Sequence, residues 1–122
     1  THPYKSFLEA GVKLCMGSDW SVAPLNAILG IYAAVTRQTV DGANPMGWIP
    51  KQKISVQDAI KAYTINNAYA AFEENVKGSI EVGKLADMVV LSEDILTIQP
   101  EKIKNVQVLM TIFDGKIVFE RK

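Results

Sequence analysis

The chain lacks most of the residues that would give it a specialised chemistry of its own. It has one cysteine, Cys15, so an internal disulfide framework is excluded, and a lone thiol fits a reducing compartment, the cytoplasm. It has one histidine, His2, with no Cys or His at ligand spacing around it; the reading is a surface or turn histidine rather than a metal ligand. Charge of one sign is also missing. Thirteen Lys and Arg balance 13 Asp and Glu, so nothing biases the chain towards nucleic acid or a membrane surface. No apolar run approaches the ~18 residues of a membrane span. Repeats and low-complexity segments are absent, and Gly78, Gly83 and Gly115 read as turn residues rather than a phosphate cradle. The opening Thr1-His2-Pro3-Tyr4-Lys5 has the form of neither a signal nor a transit peptide and carries no Met; the expectation is a mature product or a piece of something longer.

What is present is an apolar fraction of 48% in 122 residues, enough for one core of ordinary size. The organising stretch is Val12–Trp20, Val-Lys-Leu-Cys-Met-Gly-Ser-Asp-Trp. An apolar run stops at a glycine and is followed by a hydroxyl, a carboxylate and an indole. In α/β proteins, strands carry their chemistry at this C-terminal edge, which makes Asp19 the candidate functional residue. A helix cap or turn residue is the plainer reading of the same aspartate. Ser18 as a nucleophile is a poor fit, because Gly17-Ser18-Asp19 lacks the second glycine of a nucleophile elbow and His2 is the only histidine available as a base. Cys15, inside the apolar run, reads as a buried and inert thiol.

Around that stretch the pattern predicts a short helix from Pro3 to Ala10 closed by Gly11, then a strand Val12–Met16 covered on both faces. Pro24 suits a first helical residue, and Leu25, Ile28, Leu29, Tyr32 and Val35 repeat at helical spacing to about Gln38. Thr39–Lys53 is a long loop of the kind that forms lids and binding surfaces, with Trp48 either contacting a ligand or anchoring the loop. Ser55-Val56-Gln57-Asp58 has the form of a capping box opening a helix to about Phe72. From about Val76 the character changes to strands: Ser79–Val82, Met88–Leu91, and Val106–Phe113 with Lys116–Glu120 around Asp114-Gly115, a strong hairpin signal. The expected class is α/β, with residues 1–75 and 76–122 as separate structural units.

In this order the pieces resemble a known family. Gly17-Ser18-Asp19-Trp20, Pro24-Leu25 and Ala34-Val35-Thr36-Arg37 are similar to the closing part of amidohydrolase-superfamily enzymes, and so are Ala59–Thr64 with Asn67-Ala68 and the run Gly78–Leu91. The likeness is to the amidohydrolase 3 branch, which includes N-substituted formamide deformylase-like enzymes. It implies a C-terminal fragment of a (β/α)8 metal-dependent hydrolase barrel plus part of its accessory β-sandwich, with Val12–Met16 as the eighth barrel strand and residues 76–122 as the sandwich share. It implies that Asp19 ligates a divalent metal, typically zinc, and takes a proton from the metal-bound water, in a reaction that hydrolyses a non-peptide C–N bond of a small amide-type substrate. Trp20, Val22 and Trp48 would then stand at the barrel mouth as substrate-binding residues. The family's His-x-His pair and later histidines are not in this sequence, so the chain alone is expected to bind no metal and to be inactive. The alternative is a non-catalytic assembly module that completes a partner chain. An unpaired strand edge also leads to an expected homo-oligomer.

Overall fold

The computed structural model describes residues 2–122. In chain order it contains helices α1 (Tyr4–Glu9), α2 (Ala27–Thr36), α3 (Val56–Tyr63) and α4 (Ile65–Ala70), then strands β1 (Met88–Leu91), β2 (Val108–Phe113) and β3 (Lys116–Glu120). Short 3-10 turns, Pro50–Gln52 and Pro100–Asn105, precede α3 and β2.

The core is built on α2. Ile28, Ile31, Tyr32, Ala34 and Val35 are buried along it, and they meet Ile54 and Ala59 from the α3 region. The other half of this core comes from far along the chain: Ile95, Ile103 and Val106, of which Ile103 is completely buried. α2 begins later than the periodicity predicts. Asn26 caps it by accepting the Ile28 N–H at 3.0 Å, so Pro24 stays outside the helix. It ends where Arg37 turns left-handed, at φ 60°.

Ser55 caps α3 as expected. Its hydroxyl accepts the Asp58 N–H at 3.0 Å and donates to the Asp58 carboxylate at 2.6 Å. The long helix predicted from Ser55 to Phe72 is instead broken in two. At Thr64 the backbone leaves helical geometry (φ −126°, ψ −96°), and its hydroxyl donates to the Ile60 carbonyl at 2.7 Å. A threonine that bonds back to the preceding turn offers the backbone a rival to helix continuation, and α4 starts afresh at a new angle.

The sheet is antiparallel in the order β1-β2-β3. Asp114 (φ 47°) and Gly115 (φ 74°) both adopt positive φ, as the two-residue hairpin requires. The Asp87 carboxylate accepts the Asp114 N–H at 2.8 Å, which ties that hairpin to the residue before β1. β3 is exposed along its whole length.

Two predicted strands are not strands. Val12–Met16 has no neighbouring strand among the described residues, although Leu14 and Met16 turn inward while Lys13 and Cys15 stay exposed, the alternation of extended chain. Cys15 is therefore exposed rather than buried. Ser79–Val82 likewise has no ladder partner and folds into a polar turn. There Lys84 Nζ donates to the Ser79 hydroxyl at 2.6 Å, and that hydroxyl donates to Glu81 Oε1 at 2.6 Å.

Two outcomes are expected. Ile103→Ala empties the centre of the α2 packing and lowers the unfolding free energy by about 2–5 kcal/mol in chemical denaturation. The Ser79 hydroxyl, and after it Lys84, hold the Glu81 carboxyl below the usual carboxylate range. A lowered folded pKa gives stability that is present above the ordinary glutamate pKa and lost as pH falls through the lowered value. Ser79→Ala moves the Glu81 titration midpoint upward in a carboxyl NMR titration; an unmoved midpoint would show that Lys84 alone sets it.

Candidate functional site

The segment that ends at Asp19 is held by helices instead of by strands. Met16 N–H donates to the Ala62 carbonyl at 3.0 Å, at the end of α3. Past the break at Thr64, Asn66 Nδ2 donates to the Leu14 carbonyl at 2.9 Å and Asn67 Nδ2 to the Met16 carbonyl at 2.8 Å. The Cys15 thiol reaches the Asn66 carbonyl at 3.2 Å. Beyond Gly17 the chain turns sharply. Asp19 has φ 55°, the left-handed region that aspartate visits more readily than most residues, and its carbonyl accepts the Val22 N–H at 2.7 Å and the Ala23 N–H at 3.2 Å. The Trp20–Ser21 peptide bond is cis.

This turn presents its side chains to solvent. Asp19 is exposed, and among the described residues its carboxylate has no hydrogen-bond or ion-pair partner. Trp20 and Val22 share the turn and are 69% and 85% exposed. Trp48 lies apart from them, 62% exposed, at the rim of an open cavity of about 650 Å³. Gly17, Ser18, His2, Tyr63 and the Gly30 side of α2 also line that cavity, whereas Asp19, Trp20 and Val22 do not. His2 is exposed, as expected, with its ring 5.7 Å from that of Tyr4. The Trp48 backbone is what anchors its loop: its N–H donates to the Arg37 carbonyl at 2.7 Å, and its carbonyl accepts from Arg37 Nε at 3.0 Å. The indole itself stays free to meet a ligand or another part of the protein.

A structural zinc centre takes four donors and a catalytic one at least three from the protein. The described residues hold no group of three or more His, Cys, Asp or Glu that could bind a metal ion. Asp19 could contribute one oxygen donor; the described residues do not assemble the rest. Sequence reasoning missed Asn66 and Asn67, although two asparagines after a threonine near the middle of a long apolar repeat are a visible sign of interruption.

The model of the amidohydrolase family matches residues 1–119. The chain is 34% identical to N-substituted formamide deformylase of Arthrobacter pascens, over 98% of this chain and 21% of that protein. It is 38% identical to the Arabidopsis thaliana protein LONG AFTER FAR-RED 3, over 95% of this chain and 19% of that protein. Among solved structures it superposes on an amidohydrolase from Thermotoga maritima with a TM-score of 0.72 at 28% identity, covering 97% of this chain and 26% of that one. The chain thus spans about a fifth of the length of the curated relatives it matches.

Trp48 depends on its neighbour. Gly47 has φ 79°, and a Cβ there would collide with the Thr36 carbonyl. Gly47→Ala is expected to cost upward of about 1 kcal/mol and to shift Trp48 emission, measured in a Trp20→Phe background. An unchanged spectrum would mean that the loop absorbs the methyl without moving the indole.

Proposed function

The chain belongs to the amidohydrolase family, and from that premise we propose that it is the C-terminal part of a hydrolase acting on the C–N bond of a small amide-type substrate. The observation that carries this reading is Asp19: an unengaged carboxylate on a left-handed turn, just past an extended segment held by three hydrogen bonds at Leu14 and Met16. A carboxylate so presented can accept the proton of a water that attacks the amide carbon, a contribution of roughly 10²- to 10⁴-fold in rate.

In this reading residues 1–75 are the last strand and flanking helices of a (β/α)8 barrel, and residues 76–122 are the C-terminal share of a β-sandwich. The apolar side chains left bare on this chain, Phe72, Ile80, Val82, Phe113 and Val118 among them, support it: they suit burial against the rest of a longer protein. A divalent metal, zinc by the resemblance, would supply Lewis acidity to the whole site, and Asp19 is the one ligand this chain would give it. The remaining donors would lie on other strands, and the isolated chain would be inactive and prone to self-associate through its bare surfaces. Trp20 and Val22 would border the substrate from the same turn, and Trp48 from the neighbouring loop. A lone cysteine suits a cytoplasmic protein, and among the described residues no helix is long and apolar enough to cross a membrane.

The test is Asp19→Asn in the whole protein, assayed on an N-formyl or N-acyl amine. The expected loss in kcat/KM is about 10²-fold or more with an unchanged circular dichroism spectrum. Activity within twofold of wild type would remove Asp19 from the chemistry.

A further inference from the structure

In an extended segment the N–H and C=O of one residue leave on the same edge, and alternate residues share that edge. Leu14 and Met16 form one edge of the segment leading to Asp19. The Leu14 carbonyl, the Met16 N–H and the Met16 carbonyl are all taken by α3–α4, through Asn66, Ala62 and Asn67 respectively. Lys13 and Cys15 form the opposite edge, and among the described residues their backbone groups have no partner. The Leu14–Met16 edge is therefore engaged by α3–α4 in this chain.

We infer that Asn67, with Asn66 beside it, is a positioning residue: its side-chain amide grips the Met16 carbonyl and thereby fixes where the Asp19 carboxylate is held. The inference rests on the reading of Asp19 given above. The path from Asn67 to that carboxylate is short. Met16 is followed by Gly17, around which nothing lies within 4 Å of where a Cβ would be, so no side-chain packing at that position steers the chain. A glycine in open space has wide conformational freedom, and the direction in which the turn leaves must be set by its two anchors. One is the Met16 peptide, gripped by Ala62 and Asn67; the other is the Asp19 carbonyl, gripped by the Val22 and Ala23 N–H groups. Tyr63 adds a longer contact, its hydroxyl 3.4 Å from the Gly17 carbonyl. The break at Thr64 makes the grip possible, because it re-aims the next turn so that two consecutive asparagines reach carbonyls two residues apart. A catalytic group displaced by about 1 Å can lose on the order of 10²-fold in rate, so a hydrogen bond three residues from Asp19 is a lever on turnover.

The experiment uses the whole protein with Asn67→Asp, a variant of the same shape that has no N–H to donate, and Asn67→Ala in case the carboxylate prevents folding. Each is made alone and with Asp19→Asn. Carbonyl-labelled methionine with nitrogen-labelled glycine reports the Met16–Gly17 peptide, and Met46–Gly47 serves as an internal reference. The expected result is a shifted Met16–Gly17 resonance beside an unshifted Met46–Gly47. With it, kcat falls about tenfold or more while KM stays within twofold. That fall should disappear in the Asp19→Asn background, as it must if Asn67 acts through Asp19. Two results would overturn the inference alone: kcat unchanged although the resonance moves, or the same fall with Asp19 already replaced. Full activity of Asp19→Asn by itself would instead remove the reading of Asp19, and this inference with it.

Discussion

A peptide group that leaves water must find a hydrogen-bond partner, and the segment Val12–Met16 has to meet that requirement without a neighbouring strand. Much of the local architecture follows from how it does so. The partner is a helix end and two side chains, which requires α3 to stop at Ala62–Tyr63 and α4 to restart at another angle. Thr64 supplies the stop through its bond to Ile60, and Asn66 and Asn67 supply the donors. The same break leaves Tyr63 between the Gly17 carbonyl and α2. There the tyrosine occupies the space a Cβ on Gly30 would need, so any larger residue at that position requires the Tyr63 ring to move. Burial at this spot raises the Tyr63 phenol above its usual pKa.

How far the sequence discloses this depends on the range over which each feature is decided. The Asp114-Gly115 hairpin and the Ser55 cap are settled within four residues and are readable. The start of α2 is equally local but was a contest between two signals; the Asn26 side chain prevailed over a proline two residues earlier. Periodicity carries straight through Thr64, because apolar spacing does not register a hydroxyl that bonds back to the preceding turn. Ile80 and Val82 alternate like strand residues, yet alternation specifies a face and not a partner, and none is present among the described residues. Asp19 could be singled out from its position after an apolar run. Asn67 stands out as part of an interruption, but the carbonyl it reaches lies 51 residues away and is not readable from the sequence.

Composition was equally two-edged. Balanced charge and a scarcity of histidine and cysteine point away from a self-contained metal module, but an enzyme of this family need not keep its reactive groups close together in sequence. The segment matched here carries one carboxylate and a large apolar surface. In the proposed reading its contribution to a site is mostly architectural: it places a turn, and other segments would surround it. The Lys84–Ser79–Glu81 relay has the same character, ordering a turn whose apolar members, Ile80 and Val82, face outward.

The joining of α2 to Ile95, Ile103 and Val106 also has a consequence in time. These partners are made about 70 residues after the helix, and a ribosome adding ~5–20 residues per second needs several seconds to reach them. Throughout that interval the nascent helix carries an uncovered row of isoleucine, tyrosine and valine. Folding of this part of the molecule is therefore delayed until well after its first half has been synthesised, and during the delay the row is available to any chaperone that waits at the tunnel exit.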